Sequence, residues 1–332
     1  MVTLNKTCRT ANGWDINGFG QLKDGRGNIC PVTIIMPTLA MQAKTSSVCL
    51  IDGGNWDNYL DVEDFMKLLD KKIHEAKDML LERFEWICSQ NPKSAKFMYE
   101  NGVMAGYDGE DIRSALKHGT LAIGQLGLAE TLQILVGCDH TEERGMELAK
   151  RIEELFKQRC AEFKEEYSLN FGVYFTPAEN LCYTAMQKFK QKYGVIPNVS
   201  DKDYFTNSMH VPVWKKMTPF EKIDIESQLT GYSSAGCITY VELEGSVKHN
   251  IEALEEIVNY AMDKDIPYFA INVPNDMCQN CGYTDEINTN CPMCECPNIR
   301  RLRRVTGYLT GDYTSAFNLG KQQEVEMRVK HI

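Results

Sequence analysis

A cysteine array near the carboxyl end constrains this 332-residue chain more than any other feature. Residues 278 to 296 read CQNCGYTDEINTNCPMCEC, in which two C-x2-C pairs are separated by nine residues. Two such pairs can place four thiolates at the corners of a tetrahedron, the arrangement that Zn²⁺ takes in structural sites. The spacing therefore predicts a structural zinc site whose ligands are Cys278, Cys281, Cys291 and Cys294.

A redox dithiol or an iron–sulfur cluster is the competing interpretation of this array. Two complete C-x2-C pairs favour a closed four-coordinate zinc site over either of these. Cys296 is a fifth cysteine that could substitute for a ligand or have no role. A site of this kind holds a fold together, and it does not by itself reveal a reaction.

Composition and charge exclude several classes of protein. Hydrophobic residues make up 43% of the chain, and this length suits one large domain or two ordinary ones. The formal net charge of -10 argues against a nucleic-acid partner, which would call for a basic surface. The sequence contains no apolar run long enough for a signal peptide or a membrane helix, so we expect a cytoplasmic protein with reduced thiols.

The other cysteines mostly stand among apolar neighbours, and we interpret them as small core residues. They are Cys49, Cys88, Cys138, Cys160, Cys182 and Cys237.

Hydrophobic periodicity indicates alternating strands and helices after an exposed loop over the first 30 residues. Strands are predicted at Val32–Met36, where Pro37 ends the strand, and at 169–175 and 266–273. Helices are predicted over 62–87, roughly 110–135, about 139–167, from 176 onward, and 251–264. Strands that alternate with helices predict an α/β sheet or barrel, with active-site groups on the loops that follow the strands.

The stretch RRVTGYL, residues 303–309, places an isolated glycine between arginines and β-formers. An isolated glycine in a strand pattern usually marks a bulge, a turn or a close backbone approach. That interpretation suffices for Gly307 when the stretch is considered alone.

The order of the segments changes that interpretation. A cysteine array, arginines, RVTGYL and then FNLGKQQEVEMRVKH follow one another at the carboxyl end, while TCRT, KDGRGN and PVTIIMP stand near the start. YFTPAENLCY and NSMHVPV lie between them. Together they resemble the carboxyl-terminal part of the anaerobic (class III) ribonucleoside-triphosphate reductases, which are glycyl radical enzymes, and the resemblance covers nearly the whole chain.

The resemblance implies a fold and three domains. The fold would be the carboxyl-terminal part of a ten-stranded α/β barrel of the glycyl radical enzyme type, with a zinc ribbon and a glycyl radical loop. Residues 1–274 would form the partial barrel with its finger loop, 275–300 the four-cysteine module, and 301–332 the radical domain. The family's amino-terminal half would be absent from this chain, and the chain would need it as a separate polypeptide.

The resemblance also assigns roles to individual residues. Gly307 would carry a backbone radical, which needs a planar Cα and therefore a residue without Cβ. Cys8 in the finger loop would become the thiyl radical that attacks the substrate. Asn28 would orient the ribose hydroxyls, and Glu179 would be an active-site carboxylate that assists proton transfer.

Each of these roles has a simpler alternative that stays open at this point, which for Gly307 is the bulge or turn described above. Cys8 could be an exposed loop thiol, and Asn28 a turn residue in GRGN. Thr176, Pro177, Ala178 and Glu179 together match a capping box, in which the Glu179 carboxylate would bond back to the backbone amide of Thr176.

The implied function is anaerobic reduction of ribonucleoside triphosphates to deoxyribonucleotides for DNA replication, with formate as the external reductant. A radical S-adenosylmethionine activase would install the radical, and the assembled enzyme would be a homodimer. Two alternatives remain: a non-catalytic spare radical subunit that complements a damaged or split reductase, and a zinc-ribbon nucleic-acid adaptor, which the acidic charge disfavours.

Overall fold

Parallel strands with helices between them build the larger part of this computed structural model, which describes residues 11–47, 59–305 and 312–331. The described residues form two compact units. The first contains the described residues of Met1–Thr176 together with Leu229–Cys237, and the second those of Pro177–Gln228 and Ile238–Ile332. The predicted three-domain division stays a prediction.

The strands are β1 (Asn28–Ile35), β2 (Thr120–Leu126), β3 (Asn170–Tyr174), β4 (Thr239–Glu242), β5 (Phe269–Asn272), β6 (Asp276–Cys278), β7 (Thr284–Asp285) and β8 (Ile299–Arg300). The helices are α1 (Met36–Ser47), α2 (Tyr59–Cys88), α3 (Lys96–Glu100), α4 (Ile112–Leu116), α5 (Leu128–Val136), α6 (Glu143–Tyr167), α7 (Glu179–Tyr193), α8 (Pro219–Thr230), α9 (Ile251–Asp263), α10 (Tyr313–Ala316) and α11 (Leu319–Met327). Short 3₁₀ helices lie at Pro92–Ala95 and Gly245–His249.

The first unit contains a parallel sheet in the order β1-β2-β3, with Val32 beside Ile123 and Ile123 beside Val173. Every residue of β2 and β3 is buried, as expected for a parallel sheet whose strands are covered. Helix α2 packs on β1, and α6 packs on β3.

The two long helices confirm the predicted periodicity. The apolar stripe of α2 is buried at every fourth or third position, including Phe65, Leu69 and Ile73, none of which is exposed to solvent. In α6, Ile152 and Phe156 are equally buried. Packing of these stripes against the sheet supplies the stability that a helix lacks in isolation.

The second unit contains a parallel pair, β4 and β5, and a small antiparallel sheet in the order β7-β6-β8. One side of the β4–β5 pair packs on α9 through a core that includes Val241, Leu243, Ile257 and Ala261. The α/β class predicted from the sequence is confirmed, whereas closure into a ten-stranded barrel stays a prediction.

The predicted helical pattern over 110–135 is wrong at its centre, where Thr120–Leu126 is strand β2 between two shorter helices. A short apolar run cannot be assigned to a helix or a strand by periodicity alone. Gly124 shows how closely the next segment packs on this strand. A Cβ there would lie 2.1 Å from Thr176 Oγ1 and 2.3 Å from the Tyr174 carbonyl oxygen. The neighbouring strand can approach β2 only because this residue is glycine.

The start of the chain agrees with its prediction in part. Residues 11–27 form a loop with exposed residues such as Trp14, which is 63% exposed. The loop is nevertheless anchored, because Asn12 and Asp15 are 2% exposed and Arg26 is 1% exposed. Pro37 lies in the first turn of α1, where a missing N–H costs nothing, and the strand before it ends at Ile35.

The scattered cysteines agree with their predicted core role wherever they are described, with one partial exception. Cys88 is half-buried, and Cys49 lies outside the described residues. The remaining four are buried: Cys138, Cys160, Cys182 and Cys237. No described helix combines the length and the apolar character that crossing a bilayer requires.

Candidate metal centre and the loop beside it

Two tight turns bring the four predicted ligand cysteines together. In the first turn, Cys278 ends β6 and Gly282 adopts φ +75°, so that its N–H donates to the Cys278 carbonyl at 3.0 Å. In the second, Glu295 adopts φ +58° and its N–H donates to the Cys291 carbonyl at 2.9 Å. Each turn reverses the chain directly after a cysteine pair, which is how a C-x2-C spacing presents two sulfur atoms to one point.

The sulfur atoms have the geometry of a tetrahedral metal site. All four Sγ atoms lie within 4.8 Å of one another. Cys278 Sγ is 3.6 Å from Cys294 Sγ, and Cys281 Sγ is 3.5 Å from Cys291 Sγ. Zinc–sulfur bonds of about 2.3 Å give a tetrahedron with edges of about 3.8 Å, so the donor set fits a metal ion such as zinc.

Hydrogen-bond donors beside the sulfur atoms stabilise some of the four thiolates. The N–H of Met293 donates to Cys291 Sγ at 3.4 Å, and the side-chain amide of Asn280 donates to Cys294 Sγ at 3.5 Å. The backbone N–H of Cys281 lowers the pKa of the Cys278 thiol to about 6. The N–H of Tyr283 acts in the same direction on Cys281, but burial and the neighbouring sulfur atoms outweigh it and raise the pKa of the Cys281 thiol to about 12. Metal ligation requires thiolates, so a bound cation would have to offset this mutual repulsion of the sulfur atoms.

Cys296 lies outside the four-cysteine group. Its carbonyl accepts the Cys291 N–H at 3.0 Å, and its sulfur accepts the Asn298 N–H at 3.4 Å. These contacts give the fifth cysteine a place in the turn without requiring it as a ligand.

We expect Cys291→Ser to release the metal and Cys296→Ser to retain it. Cys291 is 1% exposed, so a water molecule cannot easily replace its sulfur as a metal ligand. Cys296 is not one of the four grouped cysteines, so its loss should leave the ligand set complete. Loading the protein with Co²⁺ should give the intense absorption of a tetrahedral four-thiolate site in the wild type and in Cys296→Ser. Wild-type metal content in Cys291→Ser would refute the assignment.

The residues on either side of 306–311 are joined to each other, and they follow this module directly. Leu302 pairs with Asp312 in an antiparallel bridge. The N–H of Arg301 donates to Asp312 Oδ2 at 3.0 Å, and the N–H of Tyr313 donates to the Arg301 carbonyl at 3.2 Å. Residues 306–311, which include Gly307, lie outside the described residues.

Two arginines attach this stem to the cysteine module. Arg301 donates to the carbonyls of Ile287 at 2.6 Å and Asn288 at 2.8 Å. Arg303 forms a two-point ion pair with Asp276, which is completely buried on β6, with 3.0 Å between Nη2 and Oδ2. The metal module thereby sets the position of the stem.

The structure places Asn28 at the start of β1, beside Thr120 and next to a register shift in the strand pair. Its Oδ1 atom is buried and has no hydrogen-bond partner among the described residues. A buried acceptor without a donor is uncommon in proteins and calls for an explanation such as a ligand or a water molecule. The predicted role of Asn28 stays a prediction, and this orphaned atom is compatible with it.

Glu179 is an exposed residue at the first position of α7, and the capping-box interpretation is wrong. The N-cap is Ala178, so Glu179 is too near the helix start to bond back in the expected way, and no such bond occurs among the described residues. The hydroxyl of Thr176 instead lies 2.9 Å from that of Thr33. The Glu179 carboxylate is therefore not committed to a cap, and its catalytic role stays a prediction.

The side chain that satisfies the start of α7 is one to which the sequence analysis gave no role. Asn207, in NSMHVPV, accepts the Ala178 N–H with its Oδ1 at 2.8 Å. The residue is 4% exposed and lies 29 positions further along the chain. A cap supplied from so far away has no local sequence signal, because capping rules apply to neighbouring residues.

A buried polar network that sequence reasoning also missed fixes residues 11–27. Asp15 accepts a hydrogen bond from Asn170 Nδ2 at 2.7 Å and lies 2.7 Å from His118 Nδ1. Burial alone would raise the pKa of Asp15, but these contacts and two backbone N–H donors lower it to about 2. Arg26 adds hydrogen bonds to the carbonyls of His118 and Gly13 at 2.6 and 3.0 Å.

We expect Asp15→Asn to destabilise the protein by about 2 kcal/mol at pH 7, because an amide cannot accept all the bonds that the carboxylate accepts. The pKa of Asp15 is lowered on folding, so its contribution is complete above about pH 4 and is lost as the pH falls toward 2. Urea unfolding at pH 7 and pH 3 should therefore show a difference between wild type and variant that shrinks in acid. Asp24→Asn, which removes a carboxylate outside the network, is the matched control, and a pH-independent difference would contradict the expectation.

Comparison with solved structures defines the class of fold. The anaerobic ribonucleotide reductase of Thermotoga maritima with glycerol in its active site matches with a TM-score of 0.70 at 21% identity, over 96% of this chain and 47% of that one. The B12-independent glycerol dehydratase of Clostridium butyricum matches with a TM-score of 0.63 at 10% identity, over 93% of this chain and 44% of that one. At these identities the likeness shows the fold alone.

Sequence comparison shows the family. The family model for anaerobic ribonucleoside-triphosphate reductase matches residues 2–331, and the chain belongs to this family. The reductase of Escherichia coli strain K12 is 33% identical over 98% of this chain, and that of Enterobacteria phage T4 is 31% identical over the same share. The chain spans 45% of the length of the former and 52% of the latter.

Proposed function

We propose that this chain carries the radical-bearing part of an anaerobic ribonucleoside-triphosphate reductase. The reaction would convert a ribonucleoside triphosphate to the deoxyribonucleoside triphosphate for DNA synthesis. The observation that carries the proposal is the closed loop stem: Leu302 and Asp312 are paired, and Arg301 and Arg303 tie this stem to the four-cysteine module. A loop held at both ends, with Gly307 between them, is what a protected backbone radical would need.

The four cysteines would hold zinc in a structural role in this proposal. A closed set of four thiolates leaves no coordination position for a substrate. When bound, the ion would supply cross-linking between β6 and the turn at Cys291. The module would then hold the stem through two contacts. Asp276 binds Arg303, and the carbonyls of Ile287 and Asn288 bind Arg301.

The hydrogen transfers would run from Cys8 to the Gly307 Cα and from the substrate to Cys8. The first transfer breaks an S–H bond and forms a C–H bond, which leaves an unpaired electron on sulfur. The second breaks the 3′ C–H bond of the ribose and restores the thiol, with no net charge moved in either step. The S–H and activated C–H bonds are close in strength, so both transfers can be reversible.

Loss of the 2′-hydroxyl as water then needs an acid, and deprotonation of the 3′-hydroxyl needs a base. Glu179 is an exposed carboxylate at the amino end of α7, which suits proton exchange. Asn28 would bind a ribose hydroxyl through its unpartnered Oδ1. Formate would supply two electrons and become carbon dioxide, so that ribonucleotide, formate and one proton give deoxyribonucleotide, carbon dioxide and water.

The assembled enzyme would have an activating partner, a second copy of itself and a closed barrel. A radical S-adenosylmethionine activase would remove a hydrogen atom from Gly307, and the assembled enzyme would be a homodimer with a closed ten-stranded barrel. Since the chain spans about half the length of its relatives, a turnover assay should also supply the remaining family sequence, in the same polypeptide or as a second one.

Anaerobic incubation with the activase, S-adenosylmethionine and a reductant tests the proposal. We expect an electron paramagnetic resonance doublet that arises from the remaining α-hydrogen of a glycyl radical. Protein grown with α-deuterated glycine should give a collapsed signal, because deuterium has a much smaller coupling. Absence of any organic radical in zinc-loaded protein after this incubation would refute the proposal.

A further inference from the structure

The last residues of the chain run back along the end of β4. After α11 ends, the N–H of Val329 donates to the Val213 carbonyl at 2.9 Å, and the N–H of His331 donates to the Glu242 carbonyl at 2.8 Å. The N–H of Glu242 donates in return to His331 Nδ1 at 2.9 Å, and Lys330 pairs with Glu286. These contacts tie residues 328–331, which we call the tail strap, to β4 and its surroundings.

Arg328 connects this tail strap to the stem of the Gly307 loop. Its Nη1 donates to the Arg304 carbonyl at 2.7 Å and lies 3.0 Å from Glu242 Oε1, while its Nη2 lies 3.4 Å from Glu324 Oε1. The side chain is only 11% exposed. One guanidinium therefore joins β4, α11 and the backbone of the segment that leads into the loop.

The bound carbonyl belongs to the third residue before Gly307. On the far side of the loop, Asp312 is fixed by its bridge to Leu302 and by the Arg301 N–H. The stem contacts with Arg301 and Arg303 fix the chain as far as residue 303, and the Arg328 contact extends this fixation to residue 304. We propose that Arg328 is a positioning residue that sets the direction in which the chain enters the Gly307 loop, an inference that rests on the proposed function.

Arginine suits this role better than lysine. The guanidinium is planar and donates in several fixed directions at once, whereas an ammonium group is a compact point charge on a flexible stem. A lysine at 328 could reach Glu242 or Glu324, but it could not satisfy these carboxylates and the Arg304 carbonyl in the same geometry. The charge would be kept and the positioning lost.

Hydrogen exchange of the non-activated full chain tests the positioning without any radical. In Arg328→Gln and Arg328→Lys, we expect the amides of 301–305 and of 312–313 to exchange about tenfold faster, because the stem opens more often. Arg151→Gln is the matched control, since Arg151 is an exposed arginine of α6 that makes no contact with the stem among the described residues. Metal content checks that each variant is folded. If Arg328→Gln fails to fold, the test rests on Arg328→Lys. Exchange rates in Arg328→Lys equal to those of the wild type would overturn the proposal.

Activation provides the second readout. We expect the glycyl radical yield of Arg328→Lys to fall about fivefold or more, and that of Arg151→Gln to match the wild type. If wild-type protein forms no radical while Arg328→Lys still exchanges faster, the proposed function fails and the anchoring by Arg328 stands. If wild-type protein forms the radical and Arg328→Lys equals it in both exchange and yield, the function stands and the Arg328 proposal is wrong.

Discussion

Gly307→Ala should give a folded, metal-loaded protein that forms no doublet after activation, with a signal at least about 100-fold below that of the wild type. The radical on a glycine Cα is stabilised because the carbon becomes planar and shares its unpaired electron with the flanking amide nitrogen and carbonyl. A methyl group on that carbon crowds the neighbouring peptide groups in the planar form, which glycine avoids because it has no Cβ.

The control for this variant is Gly231→Ala. Gly231 is exposed, and a Cβ built there meets no atom within 4 Å, so its replacement tests the general effect of adding one methyl group. We expect Gly231→Ala to show the wild-type doublet. An unchanged doublet in Gly307→Ala would place the radical on another residue and would remove the central assignment of the proposed function.

Cys8→Ser should retain the doublet and lose deoxyribonucleotide formation by at least about 1,000-fold. The serine O–H bond is much stronger than the cysteine S–H bond, so the Gly307 radical cannot draw a hydrogen atom from it. The radical should therefore accumulate without being used. Radical content by electron paramagnetic resonance and product formation by chromatography, measured on one activated sample, separate storage of the radical from its transfer.

This variant also separates the enzyme from the alternative of a spare radical subunit. A spare subunit would work beside a reductase that supplies its own thiyl cysteine, so its function would survive the loss of Cys8. Cys88→Ser serves as the control because Cys88 is a half-buried thiol of α2 with no role in the proposal. Retained turnover in Cys8→Ser would reject the hydrogen relay through this residue.

The sequence predicted those features that depend on local spacing. The apolar stripes of α2 and α6 recur at helical intervals and are buried as expected. The four cysteines were predicted as one group because each C-x2-C turn presents two sulfur atoms by its own geometry, and the structure brings all four together. The period of a helix and the geometry of a C-x2-C turn do not depend on the rest of the fold. These patterns could therefore be interpreted from the sequence directly.

Features that join distant parts of the chain could be predicted only poorly. Strand β2 was predicted as helix because its assignment depends on its neighbours in the sheet, which local periodicity does not reveal. The network of Asp15, His118 and Asn170 joins three segments that lie far apart in the sequence. None of these residues stands in a pattern that marks it as buried.

The sequence by itself determined the family, the helical stripes and the four-cysteine group, because these are set by residue order and short-range geometry. Tertiary structure alone decided that Asn207 rather than Glu179 satisfies the start of α7, and that Arg303 and Arg328 hold the chain before Gly307. Hydrogen bonds and ion pairs of this kind act over a few ångströms in space, and a fold can bring any two residues within that distance whatever their separation in the chain.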